Sequence, residues 1–366
     1  MRFITRAHNK WLFSVLLILS IVSFAVPHAQ SDASDEFILF VSDRAFPSLL
    51  GMCIDCEDIY VMPPAGELPL EPSAIPLTAG GGVDGYNSAA PDWSRAKKLI
   101  AFQSNRPTDP VNRPKERIPQ IYLMNPDGSG QQILVNLPRG ASFPAFSHNG
   151  NELCFHSQTM PRRDIYIVDV HGLGLTNLTS PGQAPGQLGQ AGDNLRCDWS
   201  PKSNAIAFAS NRHDPAGTPV ANRNDEIYVM NADGSDVVRL TGGEGREPAP
   251  GADVNPAWSP KGDLIAFESN RTGMPEIWVM NADGTDQVQL TDFSAGPTPS
   301  NVVVTKPTWS PKGDRISFHR RVGAQGVRGH FEVYTMNADG TDVTRVTTTI
   351  SPGFSGFPSW GKWSAQ

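Results

Sequence analysis

One phrase recurs along the chain and constrains its fold more than any other feature. The stretch "IWVMNADGTDQVQLT" at 277–291 returns as "IYVMNADGSDVVRLT" at 227–241 and as "VYTMNADGTDVTRVT" at 333–347. Self-similarity at a fixed period indicates a repeat architecture in which each copy is one supersecondary unit. An aromatic residue marks every copy, and successive marks are 51 to 59 residues apart. The marks are Trp93, Phe146, Trp199, Trp258, Trp309 and Trp360.

Each copy has the pattern of a four-stranded antiparallel unit. In "LIAFES" at 264–269 the side chains alternate between two faces with the period of a β-strand. Asp-Gly pairs between apolar runs predict hairpin turns, because glycine accepts the positive φ that such turns require. Four strands in about fifty residues make one propeller blade. The six marks therefore predict an all-β, six-bladed β-propeller.

The two ends of the repeat region predict how the ring closes. The segment "EFILFVSDR" at 36–44 matches the second strand of the other units, whereas "FPSWGKW" at 357–363 matches their first strand. We expect this C-terminal first strand to complete the N-terminal blade. Such closure removes the exposed sheet edges that would invite aggregation.

The repeat "PAWSPKGDLIAFESNR...IWVMNADGTDQVQLT" resembles that of the TolB-type six-bladed β-propellers of the bacterial cell envelope. The resemblance covers about residues 36 to 363. It implies the propeller fold, an envelope location and binding of a partner through a propeller face. Its motifs are specific for fold and weak for function.

The first thirty residues have the pattern of a secretory signal peptide. Three basic residues precede the apolar run "WLFSVLLILSIVSFAV", and small and polar residues follow it. We expect residues 1–30 to be removed, leaving residues 31–366 as a periplasmic or extracellular propeller without stable membrane insertion. An uncleaved membrane anchor is the alternative. Removal of residues 1–30 changes the formal net charge from −7 to −10, which argues against nucleic acid as a partner.

Export would place the four cysteines in an oxidising compartment. Cys53 and Cys56 fit a small loop disulfide or a plain loop, since the second C-x-x-C of a zinc ribbon is missing. Cys154 and Cys197 have the pattern of small buried residues, and the sequence leaves open whether they bridge two blades.

One position of the second strand differs between units, although packing alone would make it alike. It holds Val41 and Ala209 in two units, and in the others Gln103, His156, Glu268 and His319. If these four polar side chains face the central channel, they form a candidate site for a divalent cation. The alternative is that they are solvated polar groups in a wet channel.

A metal site there would favour a metal-dependent lyase or hydrolase acting on acidic polysaccharide. The oligogalacturonate lyases, propeller enzymes with His-rich metal sites, have similar repeats. The sequence contains no GxSxG, HExxH, GxxxxGK[ST] or GxGxxG signature. We therefore predict a protein without catalytic residues or an obligatory cofactor, and keep the enzyme as the second hypothesis.

Long connections of variable length predict the binding surface. In a four-stranded meander, the turns after the first and third strands lie on one face and are short here. The connections after the second and fourth strands lie on the other face and are long and different in every unit, which is typical of a binding surface on a constant scaffold. We call this second face the long-loop face.

Basic residues on these connections suit a carboxylate-bearing ligand. They are Arg106, Arg113, Lys115, Arg117, Arg162, Arg163, Arg320, Arg321 and Arg328. The expected partner is a protein or acidic peptide segment, or an anionic glycan. Scattered solvated charges are the alternative. The sequence thus predicts an exported, monomeric, non-catalytic binding protein.

Overall fold

The structure is a computed structural model that describes residues 36–43, 57–63, 74–78, 86–107, 118–158, 162–180, 192–214, 224–242, 251–293, 304–322, 330–348 and 354–362. The signal-peptide prediction and Cys53 and Cys56 lie outside these ranges. Among the residues described, no helix is long and apolar enough to cross a membrane.

The described residues form 24 strands in six sheets of four. Blade 1 contains β1 (Glu36–Ser42), β2 (Asp58–Met62), β3 (Ile75–Pro76) and β24 (Ser355–Lys362). Blade 2 contains β4 (Ser88–Ser94), β5 (Leu99–Ser104), β6 (Gln120–Met124) and β7 (Gln132–Val135). Blade 3 contains β8 (Ala141–Phe146), β9 (Glu152–Ser157), β10 (Ile165–Asp169) and β11 (Thr176–Asn177).

The second half of the chain repeats this arrangement. Blade 4 contains β12 (Asn194–Trp199), β13 (Ala205–Ser210), β14 (Glu226–Asn231) and β15 (Val238–Arg239). Blade 5 contains β16 (Asp253–Trp258), β17 (Leu264–Ser269), β18 (Glu276–Asn281) and β19 (Val288–Gln289). Blade 6 contains β20 (Val304–Trp309), β21 (Arg315–Val322), β22 (His330–Asn337) and β23 (Thr344–Arg345).

All six sheets are antiparallel, which confirms the predicted six-bladed propeller. Ring closure is confirmed as well, because β24 is hydrogen-bonded along β1, with Ile38 opposite Trp360. The innermost strand of blade 1 therefore comes from the C-terminal end of the described chain.

The core lies between blades. One apolar cluster joins Ile121 of blade 2 to Leu153 and Phe155 of blade 3, all with at most 2% of their surface exposed. The repeated aromatic position serves the same packing: Trp199, Trp309 and Trp360 are each 6% exposed. Burial of large aromatic side chains supplies much of the apolar area that holds neighbouring blades together.

The threonine that ends each phrase is explained by buried hydrogen bonds to the start of the third strand. In blade 5 the Thr291 hydroxyl accepts a hydrogen bond from the backbone N–H of Ile277 and donates one to Glu276, at 2.9 and 2.5 Å. Glu226 with Thr241 and Glu332 with Thr347 repeat the contact, each at 2.5 Å. The fourth strand has few ladder bonds, so the threonine fixes it to the third.

The Asp-Gly turns have the predicted hairpin role. Gly284 has φ +85°, and its backbone N–H donates to the carbonyl of Asn281. Asp283 accepts hydrogen bonds from both the backbone N–H and the hydroxyl of Thr285, which stabilises the turn and lowers the Asp283 pKa. The carboxylates of "NADGTD" are thus used within the turn.

Polar contacts and a disulfide also connect adjacent blades. Cys154 of β9 and Cys197 of β12 form a disulfide between blades 3 and 4, which resolves the alternative that the sequence left open. The backbone N–H of Phe146 donates to Asp92 at 2.8 Å, and that of Trp258 donates to Asp198 at 2.7 Å. Each aspartate therefore links its blade to the next one.

Candidate functional site

The innermost strand of every blade contains a β-bulge that turns one side chain toward the channel. In β12 the pairing with β13 shifts register between Leu195 and Asp198, and Arg196 within this interval has φ +55°. Non-glycine residues with positive φ are uncommon, so their recurrence at the same position of all six blades shows that the bulge is a regular part of the ring. We call the six residues the floor ring: Ala90, Phe143, Arg196, Asn255, Lys306 and Phe357.

The floor ring has an aromatic half and a cationic half. The rings of Phe143 and Phe357 approach to 5.8 Å between centroids, across the small Ala90. The guanidinium of Arg196 lies 3.3 Å from the Phe143 centroid, and Lys306 Nζ lies 5.1 and 5.0 Å from the centroids of Phe143 and Phe357. These contacts bring side chains from opposite blades together in the channel.

Two residues further along each inner strand lies a second ring, closer to the short turns. We call it the upper ring, and it contains Asp92, Ala145, Asp198, Ala257, Thr308 and Ser359. The two aspartates belong to blades 2 and 4. The upper ring therefore contributes negative charge next to the positive charge of Arg196 and Lys306.

A cavity of about 710 Å³ extends from the floor ring past the upper ring. Its lining includes Arg95, His148 and Lys362, which belong to or adjoin the turns between first and second strands. The cavity therefore opens on the short-turn face, opposite the long-loop face. We call this cavity the funnel.

The cations of the floor ring interact with the nearby carboxyl groups through charge alone: Arg196 with Glu268, and Lys306 with Asp92 and Asp198. No side-chain hydrogen bond or salt bridge of Arg196 or Lys306 occurs among the described residues, apart from the aromatic contacts. Burial, and then the charge of Arg196, lower the pKa of Lys306 from 10.5 to about 7. Burial likewise lowers the pKa of Arg196 to about 10.

The two upper-ring aspartates are perturbed in the opposite direction. Burial raises the pKa of Asp92 to about 6, against the hydrogen bond from Phe146. Burial raises the pKa of Asp198 to about 7, and the charge of Asp92 adds to the effect. Three groups of the funnel wall thus titrate close to neutral pH.

The four polar residues of the second strand do not face the funnel as a cluster. Each contacts the floor-ring backbone of the following blade. Gln103 accepts from Phe143 N at 3.2 Å, His156 Nδ1 from Arg196 N at 3.3 Å and His319 Nδ1 from Phe357 N at 2.9 Å. Glu268 accepts from the Lys306 backbone and, at 2.5 Å, from Asn255.

These contacts give a structural reason for the residue types at this position. Gln, His and Glu all offer an acceptor to the backbone N–H that the bulge leaves without a ladder partner. Burial, with the charges of Lys306 and Arg196, lowers the pKa of His319 to about 3, so its imidazole is neutral. Across the described ranges, no group of three or more His, Cys, Asp or Glu is arranged to hold a metal.

On the long-loop face, several of the expected binding residues are engaged by the propeller itself. Arg106 donates to Ser88, Ser104 and Gln131, and it lies over the rings of Tyr86, Phe102 and Tyr122. Arg212 and Arg271 make the same kind of contacts, so the Ser-Asn-Arg repeat is structural.

The other basic residues divide into three kinds. The Arg163 side chain lies 3.9 Å from Asp193, and Arg320 lies over Phe293 with 3.8 Å to the ring centroid. Arg162 and Arg321 are half-buried. The remaining predicted residues lie outside the described ranges, namely Arg113, Lys115, Arg117 and Arg328.

Sequence reasoning missed the floor ring, although a signal was present. Three residues before each repeated aromatic residue, the chain has a different residue type in nearly every unit. The same criterion that singled out the second-strand position therefore applies here. What the sequence does not show is the bulge, which decides which of the two positions reaches the channel.

Comparison with known proteins agrees with this architecture. The TolB beta propeller domain family matches residues 192–352. TolB from Acinetobacter baumannii is 19% identical, with a TM-score of 0.62 over 90% of this chain and 67% of its own. A putative TolB from Agrobacterium tumefaciens is 19% identical, with a TM-score of 0.55 over 80% and 95%. A chain of a nidogen/laminin complex is 10% identical, with a TM-score of 0.55 over 89% and 98%.

The six four-stranded blades and the closed ring define a β-propeller. The family match over residues 192–352 and the fold shared with the two TolB structures support the predicted likeness to the TolB-type propellers.

Proposed function

We propose that this protein is a non-catalytic binding protein of the cell envelope that holds a segment of a protein partner in the funnel. The observation that carries the proposal is the pair of cations, Arg196 and Lys306, at the end of a cavity of about 710 Å³, where neither side chain has a hydrogen bond or salt bridge to another described residue. Donors placed in a concave site and left unsatisfied by the protein are typical of ligand recognition.

The contacts of the second-strand residues favour binding over catalysis. His156, His319, Gln103 and Glu268 each serve a backbone contact between two blades, and the two histidines lie in blades 3 and 6. Metal ligation would compete with those contacts. A divalent cation at these residues and a lyase or hydrolase activity stay predictions that metal analysis of the purified protein can test.

Three observations support the proposed location and mode of action. The N-terminal pattern is that of a signal peptide, and the Cys154–Cys197 disulfide suits an oxidising compartment. The TolB structures have the same fold. A propeller from a nidogen/laminin complex also shares the fold, so this scaffold supports association with other proteins.

The long-loop face is the second candidate for the partner site. It is favoured by the half-buried Arg321 of blade 6, for which no side-chain hydrogen bond or salt bridge occurs among the described residues, and by the half-buried Arg162 of blade 3. An acidic peptide or an anionic glycan is the ligand expected there. Because the two faces are opposite, one experiment separates them.

The test is photo-cross-linking in the native envelope, from a photoreactive residue introduced at one position at a time. Arg95 reports on the funnel mouth, Arg321 on the long-loop face, and the half-exposed Val288 of the outer strand serves as the control. We expect a discrete protein adduct from Arg95 and none from Val288. An adduct from Arg321 alone would move the site to the long-loop face, and no adduct from either face would contradict the binding function.

A further inference from the structure

We infer that the floor ring is a carboxylate subsite, which takes the acidic tip of the protein segment held in the funnel. This inference rests on the proposed function and assigns the part of the ligand that reaches Arg196 and Lys306. The carboxylate would be an acidic side chain of the partner.

The division of the floor ring into two halves matches such a tip. Arg196, Asn255 and Lys306 come from the consecutive blades 4, 5 and 6, whereas Phe357, Ala90 and Phe143 come from blades 1, 2 and 3. The cationic half offers donors to the carboxylate oxygens, and a guanidinium suits a carboxylate in two-point geometry. Phe143, the member of the aromatic half that lines the funnel, offers a surface to the aliphatic part of the same residue.

The charged residues around the floor ring favour a ligand group with one negative charge over a group with two. Two cations of the floor ring lie among three carboxyl groups, those of Asp92, Asp198 and Glu268. A phosphate dianion would bring a second negative charge into this environment, where repulsion is stronger than in bulk water. A monovalent carboxylate brings half of that charge and therefore meets less repulsion.

The shape of the site favours the tip of a protein segment over a polysaccharide chain. Phe143, Phe357 and Lys306 contact one another across the channel, so the floor is closed. A closed funnel accepts an inserted tip, whereas an internal sugar unit would need a groove open at both ends. The acidic glycan therefore becomes an outcome of the test.

The titrating groups add a second readout. The Lys306 pKa of about 7 means that its charge is lost as the pH rises above neutrality, while Asp92 and Asp198 become fully ionised over the same range. Over this pH range Arg196 keeps its positive charge and His319 stays neutral. The pKa of Glu268, which adjoins the floor ring, is raised by burial, so this group also gains negative charge as the pH rises. All of these changes make the site more negative, so carboxylate affinity falls from pH 6 to pH 8.

The experiment uses the mature chain and calorimetric titration with acetyl-Ala-Glu-amide, with acetyl-Ala-Gln-amide as the uncharged match. Inorganic phosphate and digalacturonate are the other two probes. We expect the Glu peptide to bind at least about tenfold more tightly than the other three, the range expected of a charge-assisted pair. Lys306→Gln should remove this preference, whereas Lys362→Gln at the funnel mouth should keep it.

Equal binding of the Glu and Gln peptides to the unmodified protein would overturn the subsite without any variant. Tighter binding of phosphate or digalacturonate would overturn it in favour of those anions. Cross-linking from Arg95 in the Lys306→Gln protein separates the two proposals. A partner adduct of undiminished yield would refute only the carboxylate subsite, whereas no adduct in the unmodified protein would refute the proposed function.

Discussion

The disulfide between Cys154 and Cys197 stabilises the packing of blade 3 against blade 4. The two cysteines are 43 residues apart in sequence. In the chain-entropy description, closing a loop of this length lowers the conformational entropy of the unfolded chain and so raises its free energy by about 4 kcal/mol at 25 °C. We expect the double variant Cys154→Ala, Cys197→Ala to lose most of this free energy of unfolding.

Alanine is a suitable replacement because the repeat already uses it. Blades 2, 4 and 5 have Ala101, Ala207 and Ala266 at the position of Cys154. The other five blades have proline at the position of Cys197. The double variant Cys154→Ala, Cys197→Pro should therefore recover about 0.5 to 1 kcal/mol relative to the alanine pair, because proline restricts the unfolded chain.

The assay is urea unfolding followed by tryptophan fluorescence, with and without dithiothreitol. The unmodified protein should lose stability when dithiothreitol reduces the Cys154–Cys197 bond. The double variants lack this bond, so its reduction cannot change their stability. If the alanine pair unfolds at the same urea concentration as the oxidised parent, the reasoning that the disulfide restrains the two blades is wrong.

Three further changes test local contacts by the same unfolding assay. Lys306→Met should stabilise the protein by about 2 kcal/mol below pH 7, since a fall in pKa from 10.5 to about 7 corresponds to about 5 kcal/mol before screening by funnel water. This gain should vanish as the pH rises from 7 to 10.5, because the lysine then loses its charge in the unfolded chain too. Gly284→Ala should cost about 2 kcal/mol, because a Cβ at φ +85° would lie 2.7 Å from a carbonyl oxygen of blade 4. Gly174→Ala, at φ +68° with no atom within 4 Å, should cost less. Thr291→Val should cost about 1 to 3 kcal/mol and more at pH 8 than at pH 5, because the charged Glu276 loses its donor.

The sequence was sufficient for the architecture because its signals are local and repeated. Asp-Gly turns, alternating strands and the repeated aromatic residue specify one blade, and repetition multiplies this information. Ring closure followed from comparing "EFILFVSDR" and "FPSWGKW" with the units between them. The pairing of β24 with β1 confirms that comparison.

The candidate site was less accessible to sequence reasoning, because it depends on a change of register. Within the inner strand, the bulge at Arg196 decides that this residue reaches the channel, and no residue type in "NLRCDW" marks it. The second-strand position was singled out as unlike a packing position, yet two of its residues, Val41 and Ala209, pack in apolar clusters. Its four polar residues differ because any acceptor serves the bulge N–H, as Gln103 and His319 both do.

Filling the funnel tests the central claim most directly. Thr308 of the upper ring lines the funnel, so Thr308→Trp should obstruct it, while Val288→Trp places the same side chain on the outer strand. The measurement is the yield of partner adduct from the Arg95 cross-linker in each folded variant. We predict that Thr308→Trp abolishes the adduct and that Val288→Trp leaves it unchanged. An undiminished adduct in Thr308→Trp would contradict binding in the funnel.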